Sequence, residues 1–190
     1  MRHPDESIAA ELGLRIITPD RPGYGYSDFQ PGRTLLDLPD DVAELADALH
    51  LDQFAVFGLS AGGPYVAATA YKLADRVTAT AIISGVSPLD VDGVTDGAAD
   101  YMQRMYRASQ LPEWFLRLAL MWQRRTYDPD EDFARIVARS NAADQAVLAD
   151  PAIAAQVKQW RPEAWRQGVA GIAREARILG ASWGFDLSAI

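Results

Sequence analysis

The sequence predicts an α/β protein: a parallel sheet with its helices in the first half of the chain, followed by a purely helical unit. Three observations predict it. Short, continuous apolar runs alternate with a helical pattern between residues 14 and 84; such runs read as strands covered on both faces, and strand–helix–strand order makes their sheet parallel. Strand patterns then stop after about Asp90. All five tryptophans, Trp114, Trp122, Trp160, Trp165 and Trp183, lie beyond that point, in a second part that reads as helices up to Gly180 and has much apolar surface to hide.

Taken in order, Leu14 to Thr18 (Leu-Arg-Ile-Ile-Thr) is a β-favouring run, which the turn formers Pro19-Asp20-Arg21-Pro22-Gly23-Tyr24-Gly25 bring to an end. From Pro39 to Leu49 the apolar residues Val42, Leu45, Ala46 and Leu49 fall at helical spacing, with Asp40, Asp41, Glu44 and Asp47 on the other face. Phe54-Ala55-Val56-Phe57 is too short for a helix and ends at Gly58, so it reads as a buried strand. Gly62 to Tyr71 is rich in small residues, as expected of a helix packed close against a sheet. Val77 to Ser84, closed by Gly85, is the next strand. In the second half a dense apolar helix carries Phe115, Leu116, Leu118, Leu120 and Met121. Asp128-Pro129, Asp150-Pro151 and Arg161-Pro162 read as helix starts, and Gly180 as a stop.

Composition removes several function classes. The 190 residues suit one domain, and an apolar share of 49% with 23% charged residues is that of a folded globular chain. A net charge of −8 repels phosphate backbones and anionic lipid, so neither nucleic acid nor membrane is an expected partner. No apolar run approaches the roughly 20 residues of a membrane helix, and the first residues do not form a signal peptide; the expectation is a soluble, cytoplasmic protein. Without cysteine there is no disulfide, thiolate metal site or cysteine nucleophile, and nothing else in the chain calls for a cofactor. The imidazoles are His3 and His50.

The sharpest chemical signal is Gly58-Leu59-Ser60-Ala61-Gly62, set between an apolar strand and a small-residue helix. A serine held on an abrupt strand-to-helix turn needs glycines two residues before and after it, where side chains would collide. The turn exposes the Ser60 hydroxyl at the carboxyl end of the sheet, aims the Ala61 N–H at the same spot and sets the positive end of the next helix beneath it. A plain βα turn and an anion-cradling loop are the competing readings of the segment. A dinucleotide-binding loop is disfavoured, because Ser60 replaces the glycine that lets a pyrophosphate approach.

Asp20-Arg21-Pro22-Gly23-Tyr24-Gly25-Tyr26-Ser27, after the first run, resembles the Asp-x-Pro-Gly-x-Gly-x-Ser loop of the α/β-hydrolase family. With the order strand, loop, helix, strand, Gly-Leu-Ser-Ala-Gly-Gly, the resemblance spans roughly residues 8 to 90. Trp183-Gly184-Phe185-Asp186-Leu187 is similar to the segment in which such proteins leave their helical cap for the sheet. The resemblance implies a partial α/β-hydrolase core over residues 1–90, a helical cap over 91–182 that covers the active site, and a return toward the core over 183–190. It implies Ser60 as nucleophile, Ala61 as donor of one oxyanion N–H, and a small apolar or ester substrate. Dehalogenases and epoxide hydrolases are poorer matches, because they carry an aspartate where this chain has Ser60.

The rest of the family's machinery is not matched. Its acid and histidine follow strands that would begin near Leu187, and its second oxyanion donor precedes Met1, so the chain is expected to be truncated at both ends. His50 falls at the far edge of the sheet from Ser60 and reads as a helix C-terminal cation. His3 lies in a terminal segment, and Asp90, at the position where some relatives carry the triad acid, would have no histidine to orient. Two expectations follow: a serine hydrolase completed from outside this chain, or a non-catalytic, hydrolase-like binding module. A missing strand would lie between the runs at 14–18 and 54–57, so self-association through unpaired strand edges is a further expectation.

Overall fold

The computed structural model describes residues 7–89, 91–98 and 100–190. In chain order the helices and strands are α1 (Ser7–Glu11), α2 (Leu38–Ala48), β1 (Phe54–Leu59), α3 (Gly63–Lys72), β2 (Val77–Ile83), α4 (Asp100–Ser109), α5 (Glu113–Arg125), α6 (Pro129–Arg139), α7 (Ala142–Leu148), α8 (Pro151–Ala164) and α9 (Ala170–Leu179). They fall into two units, Met1–Gln30 with Arg117–Ile172, and Pro31–Leu116 with Ala173–Ile190.

The second unit holds the sheet. β1 and β2 are parallel neighbours, with Phe57 opposite Ala81 and Leu59 opposite Ile83, and α3 is the crossover that packs on both. All eight residues from Gly63 to Ala70 are buried. A helix hidden on every side has no use for a polar face, which is why this stretch is built of Ala, Val and Tyr, with Thr69 returning its hydroxyl to the Tyr65 carbonyl at 2.7 Å. Around it Leu35, Tyr65, Ala67, Ala68, Ile178 and Trp183 form the core, with Phe185 packed at its margin and stacked on Tyr71 at 4.9 Å.

α2 ends as sequence patterning predicts, and its stop has a defined geometry. The Leu51 N–H reaches the Ala46 carbonyl at 2.9 Å and the His50 N–H reaches the Asp47 carbonyl at 3.0 Å. His50 sits between them at φ 57°, in the left-handed conformation that this six-to-one, five-to-two closure requires and that glycine usually supplies.

The first unit is helical. Asp128 and Asp150 cap α6 and α8 as the Asp-Pro pairs predict, each carboxylate accepting the N–H groups two and three residues on. Ion pairs Lys158–Asp130 (2.6 Å) and Arg161–Asp132 (3.0 Å) join α8 to α6, and Trp165 is buried edge-on against Tyr127 at 4.9 Å.

Three expectations fail. Residues 14–18 are not a strand: among the described residues none pairs with them, and Leu14, Ile16 and Ile17 are exposed. A strand exists only through lateral hydrogen bonds, so a β-favouring run without a neighbour forms none. Burial on both faces also fails for β1: Phe57 is 64% and Leu59 51% exposed, because α3 covers one face of a two-stranded sheet and the other lies open. Arg161-Pro162 does not start a helix either. Pro162 lies inside α8, two residues before its end, where little helix remains to be disrupted.

Candidate active site

Ser60 follows the last residue of β1 directly and starts a single 3-10 turn, Ser60–Gly62, that leads into α3. The preceding Leu59 is extended (φ −102°, ψ 136°), whereas Ser60 stands at φ 53°, in the left-handed region. This sign change between neighbouring residues is what bends the chain sharply. An L-residue holds that conformation only where its surroundings dictate it.

The surroundings are visible on both sides. A Cβ on Gly58 would meet the Gly62 carbonyl carbon and oxygen at 2.6 Å and Val66 Cγ2 at 2.8 Å, so only hydrogen fits. Gly62 differs from expectation: nothing lies within 4 Å of a Cβ there, and its backbone is right-handed helical. The second tight position is Gly63, whose Cβ would stand 2.8 Å from Ile82 Cγ2 and 3.0 Å from the Gly85 Cα. The steric demand therefore falls at 58 and 63, because it is α3 meeting the end of β2, and not the turn alone, that leaves no room. The Val86 N–H closes the arrangement on the Ser60 carbonyl at 3.2 Å.

Ser60 is exposed and Ala61 half-buried, both at the carboxyl end of the two parallel strands. That end is where open α/β sheets accept ligands. The N-terminus of α3 lies at the same place, and its first N–H groups have no intrahelical acceptor and carry partial positive charge. A negative charge developing on an acyl oxygen next to Ser60 would be stabilised there.

His50 is not placed to serve the serine. His50 precedes β1 and Ser60 follows it, so a whole strand, about 20 Å at the usual rise per residue, separates them. His3 and Asp90 lie outside the described residues. Among the described residues no group of three or more His, Cys, Asp or Glu could hold a metal ion.

The loop after residues 14–18 belongs to the first unit and is internally braced. Asp20 accepts the Tyr26 N–H at 3.3 Å through its carboxylate and the Ser27 hydroxyl at 2.7 Å through its carbonyl. Gly25 has φ 51°, and any side chain on it would overlap the Asp20 carboxylate. Gln167 clamps the loop from outside, donating to the Gly25 and Ser27 carbonyls at 3.1 and 2.8 Å.

Sequence reading missed a buried polar cluster behind the serine turn. Arg33, Tyr65 and Glu175 are each 3–4% exposed. Arg33 donates to the Tyr65 hydroxyl at 2.8 Å and to Glu175 at 2.7 Å, and the Tyr65 hydroxyl donates to the same Glu175 oxygen at 2.7 Å. Desolvation, followed by the negative charge of Glu175, raises the pKa of the Tyr65 phenol well above the usual tyrosine value. A signal was present: Glu175 lies four residues after the buried Gly171 and three before the buried Ile178, a charge on the apolar stripe of α9.

A family model for the alpha/beta hydrolase fold matches residues 2–156. Over 77 residues the chain is 35% identical to the uncharacterized hydrolase YcgS of Bacillus subtilis (strain 168), which takes in 40% of this chain and 27% of that protein. Among solved structures it is similar to a thermophilic esterase from Thermogutta terrifontis with malate bound, at a TM-score of 0.58 and 21% identity, covering 90% of this chain and 56% of the esterase. The chain thus spans about a quarter of the length of the curated hydrolase and little more than half of the esterase. At that identity the esterase speaks for the fold alone.

Proposed function

The chain belongs to the alpha/beta hydrolase fold family, and from that premise we propose that it serves serine-nucleophile hydrolysis of an ester or related acyl substrate, with Ser60 as the nucleophile. The observation that carries the proposal is the exposed Ser60 at φ 53°, at the carboxyl end of β1 and the start of α3. The Ser60 oxygen attacks the acyl carbon, and the Ala61 N–H donates to the oxyanion that forms. Residues 91–182 act as the cap that selects a small, apolar substrate.

The serine proton needs an acceptor. With His50 at the other end of β1, the general base and its orienting acid come from outside the residues described here, and without them a serine loses several orders of magnitude in rate. The described residues by themselves accordingly make a weak or inactive catalyst. Among the described residues no helix is long and apolar enough to cross a membrane.

A second reading is favoured by the open face of the sheet. Phe57, Leu59, Ile82 and Ile83 are each more than half exposed, and a two-stranded sheet has two unpaired edges. On this reading the chain is a hydrolase-like module that associates with itself or with a partner through those edges, and binds rather than cleaves. A fluorophosphonate probe separates the two. Labelling at Ser60 that Ser60→Ala abolishes supports the hydrolase; an unlabelled protein that sediments as an oligomer supports the module.

A further inference from the structure

We infer that Tyr65, held by Arg33 and Glu175, is a positioning residue for the Ser60 turn. The argument starts from a mismatch. Tyr65 lies in the core with Leu35, Ala68, Ile178 and Trp183, where a phenylalanine ring would fill the same space. The hydroxyl is what the site adds, and it joins a buried Arg33–Glu175 ion pair as both acceptor and donor. The three groups come from separate stretches: the segment before α2, the first turn of α3, and α9. A phenol bonded to two buried charges cannot shift without leaving one of them unsatisfied in an apolar surrounding, so its position is stiff. Arg33 is itself fixed by Arg174, which donates to its carbonyl at 2.8 Å.

This stiffness acts where the chain is strained. Five residues before Tyr65, Ser60 holds a left-handed conformation that persists only when its surroundings over-determine it. From one side the end of β2 supplies the constraint, through the close approach of Gly63 to Gly85 and the Val86 hydrogen bond to the Ser60 carbonyl. From the other, the first turn of α3 is anchored through the Tyr65 hydroxyl. Release that anchor and α3 can slide or rotate at its N-terminus, letting Ser60 relax.

The test is hydrogen exchange on the full chain carrying Tyr65→Phe, which keeps the ring and the Arg33–Glu175 pair. The amides of residues 60–66 are expected to exchange about tenfold faster, with exchange in α6 and α8 unchanged. Unchanged exchange at the turn, or an equal acceleration everywhere, overturns the inference. Should Tyr65→Phe fail to fold, Glu175→Gln, which keeps an acceptor for the phenol and removes the charge, is read the same way, with a smaller increase expected. A second arm rests on the proposed nucleophile: with a fluorophosphonate, Tyr65→Phe is expected to lower the limiting labelling rate about tenfold while the half-saturating concentration holds. An unlabelled wild-type chain whose turn still loosens in Tyr65→Phe would favour the binding-module reading and keep the positioning role. A labelled wild type with neither exchange nor labelling altered in the variant would do the reverse.

Discussion

A Cβ on Gly58 would stand 2.6 Å from the carbonyl carbon of Gly62. β1 turns into the following helix so abruptly that its penultimate residue touches the backbone four positions later. The two glycines nonetheless answer to different demands: the first fills a space with no room for a methyl group, and the second faces an open one.

Substitution by alanine should therefore split them. Gly58→Ala is expected to cost about 1–3 kcal/mol through overpacking against Gly62 and Val66. Gly62→Ala, at φ −76° with free space around it, should stabilise by about 0.4–1 kcal/mol by restricting the unfolded chain. Urea unfolding of both variants checks the pair, and equal losses would refute the assignment of the steric demand.

Ser60→Gly should yield a more stable, unreactive protein. Glycine adopts φ 53° freely, so about 1 kcal/mol of backbone strain is relieved, while Ser60→Ala keeps the strain and gains nothing. Thermal unfolding should rank glycine above alanine at this position; the opposite ranking would mean that the turn is not strained.

His50 offers the same logic away from the site. As the left-handed residue that closes α2, it should accept glycine with a gain of about 1 kcal/mol and tolerate valine poorly, because β-branching clashes at positive φ. Chemical denaturation of His50→Gly and His50→Val measures both; loss of stability in the glycine variant would contradict the geometry.

Alkaline pH probes the buried phenol. Burial, and next the charge of Glu175, makes Tyr65 harder to ionise in the folded chain than in the unfolded one. Its contribution is complete below the unfolded tyrosine value of about 10 and is lost as pH rises above it, since the unfolded chain then sheds a proton that the folded chain keeps. Stability should fall from pH 10 upward, and Tyr65→Phe should flatten that decline. Part of the slope will remain, because Tyr127 is raised too, by burial and then by Asp132. An identical slope in Tyr65→Phe would remove Tyr65 as its source.

Much of this structure was legible in short stretches of sequence. Asp128 and Asp150 announce their helices because a cap acts on N–H groups two and three residues away. β1, β2 and α3 follow from apolar pattern and small residues, and the bend at Ser60 from the glycines two residues to either side. The same local logic placed the tight glycine at 62 instead of 63, since the close neighbour, Gly85, comes from the far end of β2.

By itself, then, the sequence determined where the chain extends, coils and bends, because those choices rest on backbone sterics and on hydrogen bonds within a few residues. Tertiary structure alone decided that residues 14–18 form no strand, that Phe57 faces outward, and that Arg33, Tyr65 and Glu175 meet across separations of 32, 110 and 142 residues. Strand pairing, burial and the neutralising of a buried charge each need a partner from elsewhere in the chain, and only folding selects it.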